Sequence, residues 1–276
     1  MSLLTWILLF SLLGGVLSVL AAALFLLFPE RLRARLLPHF VSFAIGALLG
    51  AAFLALLPHA LEAPGVGDLH IITGTVLLGV LGFFLLEKMV LWRHCHHSEC
   101  EVHVPEDSHG HDHDHGTQHS PGQHTAVNHA AGTLILIGDG IHNLVDGVLI
   151  AAAFLTDIHL GIVTSLAVAA HEIPQEVGDF AVLLHSGFSR ARALVYNILA
   201  SLTTLIGAGI AYFGLREAEA ALPYILAVAA SSFIYIAVAD LIPGLHKRLE
   251  VRATVQQIVL ILGGVLTIYF AHSTLH

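Results

Sequence analysis

Eight apolar runs of about 20 residues, the length a helix needs to cross the hydrocarbon core of a bilayer, constrain this chain more than any other feature of its 276 residues. They cover residues 3–28, 39–61, 69–91, 129–155, 158–186, 191–214, 221–245 and 253–271. A soluble domain has about 25% charged residues. This chain has 11%, against 56% hydrophobic, and lacks the polar surface that water would require. The sequence therefore predicts an all-α, polytopic membrane protein: an eight-transmembrane-helix bundle in a lipid bilayer. The first run has no basic flank before it and no cleavage pattern behind it, so it is expected to be a retained span and not a signal peptide.

Most connections are short, as in a compact bundle. The exception is 92–128, a polar stretch too poor in apolar residues to form a core. It divides the chain into 1–91 (spans one to three), 92–128 (a histidine-rich loop) and 129–276 (spans four to eight). Arg31, Arg33, Arg35, Lys88, Arg93, Arg190, Arg192, Lys247, Arg248 and Arg252 all fall on one side of an eight-span arrangement, and Arg216 alone falls on the other. The excess of Lys and Arg in cytoplasmic loops then places both termini outside the cytoplasm and the histidine-rich loop inside it. Short loops without glycosylation sequons suit a bacterial inner membrane. The basic residues total 11 and form no dense patch, so no nucleic-acid partner is expected.

The chemistry concentrates in spans four and five. Residues three and four apart share a helix face, so Asp139, His142 and Asp146 form one stripe with Asn143 at its edge. In span five His171 and Gln175 share a face, and Glu172, Glu176 and Asp179 share the adjacent one. An ionisable group at mid-membrane costs several kcal/mol, and such groups mark pathways or partners. Mutual pairing accounts for one of them but not for the set, because carboxylates outnumber cations at that depth. Imidazole and carboxylate together suit zinc and neighbouring first-row metals, and a dication relieves the repulsion among the carboxylates. Pro174 lies within the cluster. It cannot donate to the carbonyl of Ala170, so a kink is expected there, and irregular backbone at membrane depth is tolerated where it lines a cavity.

His-Asn-Leu-Val-Asp-Gly at 142–147 and His-Glu-Ile-Pro-Gln-Glu-Val-Gly-Asp-Phe at 171–180 resemble the paired signatures of the ZIP metal transporters. They are most like the subfamily with a His-Glu-x-Pro-His-Glu motif. The resemblance runs along nearly the whole chain, through Leu-Leu-Pro-His in span two and Glu-Lys at the end of span three. It implies a binuclear site between spans four and five. His142, Asp146, His171 and Gln175 would surround one metal, and Asn143, Asp146, Glu172 and Gln175 would lie near the second, with Asp146 bridging. It also implies a homodimer. Two positions depart from the pattern: Gln175 stands where the subfamily has histidine, and Val145 where many relatives have proline, so span four is expected to be the straighter of the two.

The metal would be the substrate, with zinc first and iron, manganese and cadmium also suited to these donors; no organic cofactor is expected. Eleven histidines lie between His94 and His129, including His109, His111, His113 and His115 at every second position, a pattern for transient chelation. Cys95, beside His94, His96 and His97, could join it. Other positions keep two readings. His59 either lines an entrance or is an interfacial histidine. Asp240 is either a relay or a partner of Lys247. Asn197 and Ser201, one turn apart in span six, are candidates to touch the second metal. An intramembrane zinc protease would need His-Glu-x-x-His, and Gln175 replaces its second histidine, so the chain is expected not to be an enzyme. A sensor that binds without transport is the other alternative.

Overall fold

The computed structural model describes residues 1–64, 66, 68–94, 121–246 and 250–275. These residues form eight long helices and, among themselves, no strand. In chain order the helices are α1 (Leu3–Phe25), α2 (Glu30–Glu62), α3 (Leu69–His94), α4 (Pro121–Thr156), α5 (Ile158–His185), α6 (Arg190–Leu215), α7 (Glu219–Leu245) and α8 (Val251–Leu275). All but α5 are long and apolar enough to cross a membrane. At 28 residues α5 is equally long, but His171, Glu172, Pro174, Gln175 and Glu176 lower its hydropathy. The residues that weaken it as a span are the ones the sequence marks for chemistry.

The bundle reverses the polarity of a soluble protein. Leu77, Leu78, Leu81 and Leu85 on α3 and Val255, Val259, Leu262 and Leu266 on α8 are exposed, while Asp139, Asn143, Asp146, His171, Glu172 and Glu176 are buried. Small residues dominate the packed interior. Ala44, Ala47, Ala51, Ala52 and Ala55 are buried on α2 and Ala151, Ala152 and Ala153 on α4, because without a hydrophobic drive helices in lipid associate through close backbone approach. Two crossings depend on it. A Cβ on Gly147 of α4 would overlap the Thr204 carbonyl of α6, and one on Gly207 of α6 would overlap the Leu144 carbonyl of α4. Gly46 of α2 and Gly264 of α8 stand in the same relation to Ile261 and Phe43. Two groups result, α1 with α4, α5 and α6, and α2 with α3, α7 and α8, meeting chiefly where α2 lies along α5.

Several boundaries differ from those expected. Helix α2 begins at Glu30, after Pro29 in extended conformation, so Arg31, Arg33 and Arg35 lie on its first turns and not in a loop; arginine is a good helix former and Pro cannot continue a helix backwards. Both ends of 92–128 are helical, α3 continuing to His94 and α4 starting at Pro121. Residues 95–120, which include Cys95, His109, His111, His113 and His115, lie outside the described residues. Helix α5 is unbroken through Pro174. The irregularities fall elsewhere, at Gly15 in α1, at Leu202 in α6, and in widened π turns at Ala52–Leu56 and Ile236–Leu241. These two turns precede Pro58 and Pro243, where the looser winding makes room for the proline ring.

Candidate metal centre

Helices α4 and α5 pack side by side, so the polar stripe of each faces the other. His142 and Asp146, one turn apart on α4, meet His171 and Glu172 from α5. One ligand atom from each of the four lies within 4.8 Å of the other three. His142 Nε2 is 3.3 Å from His171 Nε2, 3.3 Å from Glu172 Oε1 and 3.8 Å from Asp146 Oδ2. His171 Nε2 is 3.3 Å from Asp146 Oδ2 and 3.6 Å from Glu172 Oε1. Four ligands about 2.0–2.2 Å from a tetrahedral zinc stand about 3.3–3.6 Å from each other, so five of the six edges of this cage are near the required length.

The protons are arranged for a cation as well. His171 Nδ1 is 3.1 Å from the Ala167 carbonyl, one turn back on α5. A carbonyl only accepts, so Nδ1 carries the hydrogen and the lone pair is on Nε2, facing the other three groups. Both oxygens of Asp146 and both of Glu172 are buried without a hydrogen bond. Buried carboxylate oxygens left this way are costly. His142 is the open member: its side chain retains 23% of its accessible surface, against about 1% for Asp146.

The other expected residues are distributed around this cage. Asn143 is buried, but its amide donates to Asp139 Oδ1 at 2.8 Å and to the Asp139 carbonyl, while its own carbonyl accepts from Thr204 Oγ1 of α6 at 2.8 Å. It ties α4 to α6. Gln175 is half-buried one turn beyond His171. Glu176 is buried with neither oxygen hydrogen-bonded, near Asn197 of α6. Asp179 is half-buried one turn further along α5. Ser201 is buried and its hydroxyl donates to the Ile198 carbonyl of its own helix. Asp240 lies in the π turn of α7, exposed. Nearby, the Tyr235 hydroxyl donates to Glu87 of α3. His59 stands beside His272 at the ends of α2 and α8. Sequence reading missed Thr204, Tyr235 and His272. Only His272, an imidazole directly after the last apolar run, carried any signal there.

The family profile described as ZIP Zinc transporter matches residues 2–272. Zinc transporter ZIP13 of Pongo abelii is 31% identical over 244 residues, covering 83% of this chain and 65% of that protein. Zinc transporter ZIP4 of Homo sapiens is 42% identical over 120 residues, 43% of this chain but 18% of the relative. Zinc transporter ZIP10 of Danio rerio is 41% identical over 131 residues, 45% of the chain and 16% of the relative. The chain thus spans under two thirds of the length of each. A match running nearly end to end, on a multi-pass bundle whose buried donors converge between α4 and α5, settles the family: this chain belongs to the ZIP zinc transporters.

Proposed function

We propose that the chain carries divalent metal ions, zinc first among them, across the membrane and into the cytoplasm, with the cage between α4 and α5 as the transport site. One observation carries this reading. His171 Nε2 presents a lone pair to Asp146 and Glu172, whose four carboxylate oxygens are buried without hydrogen bonds. A dication completes all of these groups at once. The relatives it matches are named as zinc transporters, which agrees with a substrate of that class.

His142, Asp146, His171 and Glu172 hold the first ion in this reading. A second position, bridged by Asp146, draws on Gln175, Glu172 and Asn143, with Glu176, Asp179, Asp139, Asn197 and Ser201 around it toward the cytoplasmic end. Filling it requires the Asn143 carbonyl oxygen, which accepts from Thr204, to turn to the ion. Nitrogen and oxygen donors release first-row metals more readily than thiolates, as transport demands. Alternating access would come from one group of helices rocking against the other, with the α2–α5 contact as the sliding surface. Both termini lie outside, the histidine-rich stretch between α3 and α4 chelates zinc on the cytoplasmic side, the membrane is a bacterial inner membrane, and two copies pair within it. No hydrolytic reading is supported, because Gln175 supplies no second imidazole for a protease-type zinc.

The test is radiotracer zinc flux into liposomes containing the purified protein, with competing metals added. His171→Ala and Asp146→Ala are each expected to abolish uptake while leaving the protein folded. Full uptake in both variants would remove the site; saturable binding without flux in the unaltered protein would make it a sensor.

A further inference from the structure

The hydrogen bonds around Asn143 fix which way its amide points. The nitrogen is 3.2 Å from the Asp139 carbonyl and 2.8 Å from Asp139 Oδ1. A backbone carbonyl accepts and never donates, so the NH2 group is on that side. The amide oxygen therefore faces away from Asp139, toward Thr204 Oγ1 of α6 at 2.8 Å, and the hydroxyl donates to it. Asn143 and Thr204 are both fully buried, so each serves the other where an exposed group would use water.

The backbone closes around this hydroxyl. Thr204 follows the irregularity of α6 at Leu202, and the Thr203 hydroxyl before it is 2.6 Å from the Gly140 carbonyl of α4. The Thr204 carbonyl lies where a Cβ on Gly147 of α4 would be. From α1, a Cβ on Gly15 would stand 3.1 Å from the Thr204 hydroxyl and 2.8 Å from the Ser201 carbonyl. Thr204 cannot withdraw unless α4 and α6 part. When an ion takes the Asn143 oxygen, it is the Asn143 side chain that has to move.

We infer that Thr204 is a positioning residue that keeps the second metal position weak, by holding the one atom with which Asn143 can ligate. The lone pair of an amide nitrogen is delocalised into its carbonyl, so Asn143 offers a metal its oxygen or nothing. Turning that oxygen to an ion leaves the buried Thr204 hydroxyl without its acceptor. The first position has no such competitor, because the carboxylate oxygens of Asp146 and Glu172 have no hydrogen bond to give up. The first ion is therefore held while the second stays exchangeable. The inference rests on the binuclear reading of the site.

Zinc titration calorimetry on the full chain in lipid nanodiscs tests it. The unaltered protein is expected to bind one ion tightly and a second weakly. Thr204→Val keeps the shape of the side chain and removes its hydroxyl, so it should tighten the second step about tenfold and leave the first unchanged. Thr204→Ala should act as valine does, and Thr204→Ser should restore the weak second step. The gain should vanish when Asn143→Ala is combined with Thr204→Val, the coupling expected of an effect that passes through that amide. Thr204→Val should also lower the thermal midpoint without metal, and zinc should recover the loss; a packing defect alone would lower it equally at every zinc level. A second step absent or unchanged in Thr204→Val and Thr204→Ala, with the first intact, would overturn the inference, as would a gain that survives Asn143→Ala. Absence of the first step in the unaltered protein would remove the metal site and the inference with it. The predicted changes in a protein without zinc flux would retain the inference and remove the transport reading.

Discussion

At the residue scale, one carboxamide departs from the His-Glu-x-Pro-His-Glu motif that α5 otherwise resembles. Gln175 is one turn from His171, on the same face, and half-buried. An amide oxygen is a neutral, weaker donor than an imidazole nitrogen, so in the proposed site this position would hold a metal loosely. Gln175→His is expected to tighten equilibrium zinc binding about tenfold, or about 1.4 kcal/mol, and to slow turnover, since the ion leaves a deeper well. Binding by calorimetry and initial-rate flux on the same preparation measure the two effects; unchanged affinity would mean that residue 175 does not reach the ion. That His142, Asp146, His171 and Glu172 belong to polar stripes on neighbouring helices was legible in the sequence; that Glu172 stands with the other three was not, because the spacing put His171 and Glu172 on adjacent faces and the resemblance put Gln175 in that set. The orientation of Asn143 was not legible either. Its partner Thr204 lies 61 residues away on α6, and nothing in the spacing along α4 shows that a hydroxyl from another helix will take its amide oxygen.

The same limit operates at the scale of elements. Eight helices can be counted from apolar runs because lipid requires every span to satisfy its own backbone. Where a helix departs from regular winding is harder to read. Pro174 lies within an unbroken α5, while the π turns before Pro58 and Pro243 leave no mark on the hydrophobic pattern. Close crossings are also invisible along one chain segment, since a glycine matters only for what approaches it. Gly147 and Gly82 look alike in sequence, yet a Cβ on Gly147 would strike the α6 backbone and one on Gly82 would meet nothing within 4 Å. Gly147→Ala should therefore lower stability by about 1–3 kcal/mol, read as a fall in thermal midpoint in detergent. It should also weaken zinc binding, because Gly147 adjoins Asp146 and moving α4 off α6 shifts that ligand. Gly82→Ala should leave both unchanged. Equal effects at the two positions would mean that the α4–α6 crossing is not what fixes Asp146.

At the scale of the whole molecule, the cage belongs to one group of four helices, and the other group meets it chiefly through α2 against α5. Every residue that holds the ion in the proposed mechanism lies on α4, α5 or α6. None comes from residues 95–120. Those residues nonetheless belong to the most histidine-dense part of the chain, with imidazoles at every second position from His109 to His115, where neighbouring rings can share one ion. Such a stretch on the cytoplasmic side would bind zinc that has already crossed. It would then set how much zinc is free at the exit, without taking part in translocation. Deleting residues 102–124 removes seven of the eleven histidines between His94 and His129 and leaves the cage residues of α4 in place. The deletion is expected to preserve zinc flux into liposomes while changing its dependence on zinc inside the vesicle, measured by preloading with zinc buffers. Flux that disappears altogether in a protein whose central cage still binds zinc would move these histidines from buffer to pathway.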